Sequence, residues 1–235
     1  MYLNRLSYLA VKFGGLLTLL ASTLHAQLVF TQYYEGASNN KWLEITNVGA
    51  ASVDLSAYTV SLYSNAAAEN WKSGSTSSSN LALIGTLASG SSFLIAHSSA
   101  VLPRASSSAN VTTTGVAAFN GNDSLVLWND QASYSTSRIV DALSFTNAGN
   151  EGADRAFVRT SLAAGYNLTA GTSVASYSSV WTQVSNATVD AAVAGTDNYL
   201  GYSSLSAVPE PSTYAAIFGG LALVGAIVRR RFARR

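Results

Sequence analysis

Chemistry has few places to start in this chain. It holds two histidines and no cysteine, and outside the first 26 residues the only histidine is His97, just after the apolar run Phe93 to Ala96. A lone histidine with no Asp-His-Ser order and no nucleophile elbow around it reads as a loop residue, not as a general base. Without a second histidine or a thiolate it does not make a zinc site either. Glu35 and Glu44 flank a short turn and offer two carboxylates, the pair that glycoside hydrolysis sets around a sugar. Nothing else in the chain supplies a cleft, and Glu44 reads better as a strand residue paired across a sheet with a Lys or polar neighbour. Asn147 to Asp154 gathers oxygen ligands between glycines, which is chemistry that calcium accepts. The spacing is not that of a helical calcium loop, so an ordinary solvated turn with Asp154 beside Arg155 is expected. Tyr33, Tyr34, Trp71, Tyr134, Tyr166, Tyr177 and Trp181 could stack against sugars, but in a sheet protein such rings more often sit half-buried in the core or at an edge. No catalytic, metal or cofactor-binding residue is expected, and the chain reads as not an enzyme.

The elements that would carry these residues are short. Several apolar runs alternate at period two and none sustains helical periodicity in the body of the chain. Strands are expected at Leu28 to Tyr34, Lys41 to Asn47, Tyr58 to Ser64, Leu81 to Leu87, Ser92 to Ala96, Ser124 to Trp128 and Ile139 to Phe145. Asn47-Val48-Gly49 and Val53-Asp54-Leu55 supply a turn followed by an apolar plug. Ala88-Ser89-Gly90 is expected to turn one hairpin, and the last two strands to form another. Many short strands with turn-rich connections make an all-β, antiparallel sandwich. Asn65 to Asn80 and Pro103 to Ala118 read as Ser/Thr/Ala-rich surface loops. Residues 161–207 are expected to hold one extra strand near Trp181 and Val184, then a polar linker.

Both ends read as addresses. Arg5 and Lys12 precede the apolar stretch Phe13 to Leu20 and the small, polar run Ala21 to Ala26, the order of a secretory signal peptide. Residues 1–26 are therefore expected to direct export through the Sec translocon and to be removed by signal peptidase, with Gln27 as the new N-terminus. At the other end Pro209-Glu210-Pro211-Ser212 forces an extended segment. An apolar helix over 213–228 follows, and then Arg229, Arg230, Arg231, Arg234 and Arg235. About fifteen apolar helical residues reach roughly 22 Å, a short transmembrane helix against a hydrocarbon core of about 30 Å. The arginines stop it on the cytoplasmic side and place the body outside. The chain carries a net charge of +1, and the two terminal segments hold most of its cations, so the body is mildly acidic. Lys41, Lys72, Arg104, Arg138, Arg155 and Arg159 do not cluster, which argues against nucleic acid as a partner. The absence of cysteine leaves stability to a packed core.

Two resemblances follow from these residues. Val208 to Ser212, the helix and the arginine end resemble the PEP-CTERM sorting signal of Gram-negative, biofilm-forming bacteria. That resemblance implies recognition by an exosortase, transient residence in the inner membrane, cleavage near Pro209, Glu210 and Pro211, and delivery to the cell surface or extracellular matrix. The body, through Lys41-Trp42-Leu43-Glu44-Ile45-Thr46-Asn47, Val53-Asp54-Leu55, Ser92 to Ala96, Gly121 to Trp128 and Ile139 to Phe145, is similar to a lamin-tail domain over 27–160. It implies an immunoglobulin-like β-sandwich. Together they imply an exported, non-catalytic surface or matrix protein in a biofilm or exopolysaccharide context, with no cofactor. Extracellular polysaccharide is a further partner. The alternatives are a carbohydrate-binding module and an exported hydrolase.

Overall fold

The computed structural model describes residues 28–65, 76–101, 109–130, 138–145, 150–162, 179–205 and 211–232; in the last stretch it describes side chains only at 218–226, 229 and 230. The expected signal peptide lies outside the described residues, as do Trp71, Tyr134, Tyr166, Tyr177, Asn147, Pro209, Glu210, Arg234 and Arg235.

The described strands are β1 (Leu28–Glu35), β2 (Lys41–Asn47), β3 (Val53–Asp54), β4 (Thr59–Tyr63), β5 (Ser79–Ala82), β6 (Thr86–Leu87), β7 (Ser92–His97), β8 (Val111–Thr113), β9 (Ser124–Trp128), β10 (Ile139–Ser144), β11 (Arg155–Arg159) and β12 (Trp181–Val184). Two helices follow, α1 (Asn186–Ala191) and α2 (Pro211–Phe232). A six-stranded sheet in the order β12-β11-β1-β2-β7-β8 packs against a four-stranded sheet in the order β10-β9-β4-β5, and β3 pairs with β6 beside them. The result is a mostly β sandwich with few helices.

Period-two alternation decides what meets in the middle. Leu43 and Ile45 of β2 and Phe93 and Ile95 of β7 turn one way, towards Val60 and Leu62 of β4, Leu125 and Leu127 of β9 and Leu143 of β10. Burying each such side chain contributes about 1.5–3 kcal/mol. A register shift between Phe30 and Gln32 breaks β1. Leu28 and Phe30 face the core before it and Tyr33 faces the core after it, so the bulge lets an eight-residue strand keep apolar residues inside despite a change of parity. One end of the core is closed by rings: Tyr33 lies 4.7 Å from Phe119, 4.9 Å from Phe145 and 6.2 Å from Phe157, centroid to centroid. After β3, Asp54 accepts the Ser56 N–H at 2.9 Å, and this cap turns Leu55 into the core as the expected plug.

Three expectations change. The Leu81 to Leu87 strand breaks at Gly85, whose φ of +92° suits glycine; β6 then pairs with β3 and β7 with β2, so Ala88-Ser89-Gly90 joins two strands that diverge and does not close a hairpin. Both surface insertions give up strand residues. Ser79 and Asn80 open β5, tied to β4 by Ser61 Oγ at 2.6 Å from Asn80 Oδ1, and β8 adds in parallel to β7. Finally, within residues 161–207 a turn-rich stretch, 193–205, follows α1 and lies against the six-stranded sheet through side-chain bonds to β1 and β2, where a polar linker was expected.

Helix α2 belongs to a unit separate from the sandwich of residues 26–207. It starts at Pro211, where a missing N–H costs a helix nothing, and it runs on through Arg229 and Arg230. Its apolar stretch of about sixteen residues measures roughly 24 Å, and among the described residues no helix is long and apolar enough to cross a membrane. The expected transmembrane helix is thus present as a helix without the dimensions of a full span.

Candidate functional site

Three clusters of buried polar groups hold the sandwich where its hydrogen-bond ladders stop. The first joins the two sheets. β1 pairs with β11 only from Gln32 onward, and the Phe30 N–H donates instead to Asp141 Oδ2 at 2.7 Å. The same oxygen accepts Arg159 Nη1 at 2.7 Å, and Ala142 N–H donates to the other oxygen at 2.9 Å. Both side chains are almost fully buried, and the guanidinium lies 5.6 Å from the Trp181 ring. Burial pushes the Asp141 carboxyl up, while Arg159 and the N–H donors pull it back.

The second cluster closes one end. Lys41 Nζ lies 2.9 Å from Glu35 Oε1 and donates to the Phe119 carbonyl at 2.7 Å and to Asn120 Oδ1 at 2.8 Å. Glu35 also accepts the Asp154 N–H, and Asp123 accepts the Asn65 and Asn120 N–H groups. An ammonium surrounded by three oxygens satisfies this end of the sheet from within. Tyr33 carries its buried hydroxyl nearby, with no hydrogen-bond partner among the described residues. Desolvation first, and then Glu35 and Asp123, raise its pKa.

The third cluster lies on the outer face of the six-stranded sheet, where a solvated face would carry exposed side chains. Gln32 stands opposite Glu44, and Tyr34 opposite Trp42. The two rings stack 4.8 Å apart at an angle of 10°. Glu44 Oε1 accepts from Thr31 Oγ1 at 2.6 Å, which in turn lies 2.8 Å from Thr46 Oγ1. Glu44 Oε2 accepts the Gly201 N–H at 2.6 Å. Gln32 Nε2 donates to the carbonyls of Asp197, Tyr199 and Tyr202 at 3.0–3.1 Å. Glu44 is fully buried, and desolvation pushes its pKa up to about 7 against the pull of Thr31 and Gly201. Tyr34 donates to Asp190 of α1 at 3.1 Å; burial, and then Asp190, raise its pKa to about 12.

These clusters place most of the expected residues. Glu35 and Glu44 form no carboxylate pair. Glu35 is bound to Lys41 at the strand end and Glu44 stands three positions back in register, opposite Gln32, on the outer face. Among the described residues Glu44's partners are Thr31, the expected polar neighbour, and Gly201. His97 is buried and its Nδ1 accepts the Ser99 N–H at 3.0 Å, the work of a turn cap. Of Asn147 to Asp154, the described part is a turn in which Asn150 and Asp154 have φ of 48° and 53°, with Asp154 exposed and Arg155 bonded to the Glu151 carbonyl at 3.1 Å. Tyr33, Tyr34 and Trp181 are buried at 1%, 2% and 4% exposure, so none offers a free stacking face. Of the sorting residues, Pro211 opens α2, while Arg229 and Arg230 are exposed near its end; Arg231 falls within the same helix. Among the described residues no group of three or more His, Cys, Asp or Glu could hold a metal ion.

Arg159, Asp141 and Gln32 were not singled out from sequence. Their signal is faint: an arginine ending an Ala-Phe-Val run, an aspartate inside an apolar strand, and a glutamine between Thr31 and Tyr33.

A family model for the lamin tail domain matches residues 21–147, a span that ends before β11, β12 and the 193–205 segment. No curated protein matches the chain. Among solved structures, the crystal structure of a DUF4876 family protein from Bacteroides thetaiotaomicron is similar at 11% identity and a TM-score of 0.44, over 68% of each chain.

Proposed function

The chain belongs to the lamin tail domain family, and from that premise we propose that it is an exported, non-catalytic surface or extracellular-matrix protein, sorted through its C-terminal tail by an exosortase. The observation that carries the reading is the order of parts at the tail. Pro209-Glu210-Pro211 leads directly into α2, and the arginine cluster begins at Arg229. Along the helix Phe218, Leu221, Leu223 and Val224 are 58–63% exposed, more apolar surface than one helix leaves in water without a partner. Recognition by a membrane-embedded peptidase would cover it during processing, and a helix short of a full span suits a transient handle better than a lasting anchor. The burial of Glu35, Glu44, Asp123, Asp141 and His97 supports a non-catalytic body, since general acid–base chemistry needs a group within reach of substrate.

The test is cell fractionation of a strain expressing Pro209→Ala/Glu210→Ala/Pro211→Ala. The expected result is full-length protein retained with the cell envelope and lost from the surface or matrix fraction. Unchanged delivery of the variant to the surface would refute sorting through this motif.

A further inference from the structure

Residues 193–205 lie beyond the matched family span and after the last strand, yet the sheet's outer face is built around them. The two N–H groups of the Gln32 amide are shared among three of their carbonyls, Glu44 accepts the Gly201 N–H, and Leu200 packs against the cluster that holds Tyr34, Trp42, Leu94 and Ala156. These bonds run almost wholly from two sheet side chains to strap backbone, so they specify an extended, turn-rich chain and little of its sequence. We propose that Gln32 and Glu44 form a docking site for backbone on the outer face of β1 and β2, occupied in cis by residues 193–205 as a strap that can leave it.

Two features make the strap releasable. It begins after α1 ends at Ala191, passes the 69% exposed Val193 and turns at Gly195, whose φ of +85° suits glycine. Its latch is a buried carboxylate with no cation bonded to it among the described residues. Beside Glu44 stand Thr31 and Gln32 on β1, Leu94 on β7 and Gly201 on the strap, while Asp197, Tyr199 and Tyr202 of the strap are bonded through their carbonyls to Gln32 and Asp190 of α1 to Tyr34. The charged members of that set are both acidic. Docked, Glu44 titrates at about 7 against an ordinary 4.5; released into water it returns to the ordinary value. The docked state therefore holds its proton more tightly, and docking weakens as pH rises from about 4.5 to 7, by on the order of 10²-fold in equilibrium constant. Release would uncover the Tyr34–Trp42 stack together with Trp42 Nε1 and Gln32 Oε1, two buried atoms with no hydrogen-bond partner among the described residues.

The experiment is amide hydrogen exchange on the full chain at pH 5 and pH 8, corrected for intrinsic rates and read at Gly201 and the rest of 193–205. The proposal expects protection to fall on the order of 10²-fold between the two pH values, with 193–205 exchanging faster than β1 and β2 at each, as a strap that leaves before the sheet opens. Glu44→Gln should remove that pH dependence. Gln32→Ala should lower strap protection at both pH values while keeping its slope, which separates the latch from general instability if Glu44→Gln folds poorly. Equal protection at pH 5 and 8 in the wild-type chain, or the same slope in Glu44→Gln, would overturn it.

Discussion

Asp141 and Arg159 show how much one buried pair can decide. The pair ties β10 to β1 and β11 across the gap between sheets, and removing one partner leaves the other charge unpaired in the interior. Asp141→Ala is therefore expected to lower the unfolding free energy by about 3–5 kcal/mol in urea titration. Asp141→Ala combined with Arg159→Met should lose less than the sum of the two single changes; additive losses would count against the coupling. Glu44 makes the opposite prediction. Its folded pKa, raised to about 7 from 4.5, means stability is fullest below pH 4.5 and falls as pH rises to 7, the loss reaching at most on the order of 3 kcal/mol. Glu44→Gln should accordingly raise the urea midpoint at pH 8 and leave it nearly unchanged at pH 4. Glu44 is legible as a strand residue with a polar cross-strand neighbour, but the burial of neither group is, because a residue's burial depends on what the fold brings to it. The lone His97, which the sequence offers as a loop residue, is instead the buried last residue of β7, because the strand runs one position past its apolar stretch.

Strands with clean alternation were read closely. Lys41 to Asn47 and Ser124 to Trp128 are β2 and β9 to the residue, because Leu43 and Ile45 in one and Leu125 and Leu127 in the other fall at period two on the core face. β11 escaped notice because Arg155-Ala-Phe-Val-Arg159 presents arginines at both ends, and only Asp141 and Trp181 explain why the second can be buried. The first half of β5, Ser79 and Asn80, and all of β8 escaped because Ser, Asn and Thr carry little strand preference of their own and are recruited by an existing edge. The strap escaped because its attachment is written in β1 and β2. Turn positions are more demanding than their composition suggests. A Cβ on Gly121 would meet the Ala153 backbone nitrogen at 2.1 Å, and backbone cannot step aside as a side chain does. Gly121→Ala should lower Tm by several degrees, about 1–3 kcal/mol for an overpacked contact, whereas Gly90→Ala, with nothing within 4 Å of its Cβ but a φ of +71°, should cost only the conformational strain of about 1 kcal/mol. Equal Tm losses in the two variants would contradict this reading.

At the scale of the molecule, a cysteine-free sandwich of two sheets accounts for the body, and the tail accounts for much of the basic charge. The matched family span covers β1 to β10, while β11 and β12 complete the six-stranded sheet and the strap lies on its outer face beyond that span. The address at the two ends is the central claim, and it predicts a definite covalent product. Intact-mass analysis of the native protein recovered from the cell surface or matrix tests it most directly. The account predicts a species beginning at Gln27 and ending near Pro209 to Pro211, without the arginine cluster; a surface protein still carrying Arg235 would contradict it.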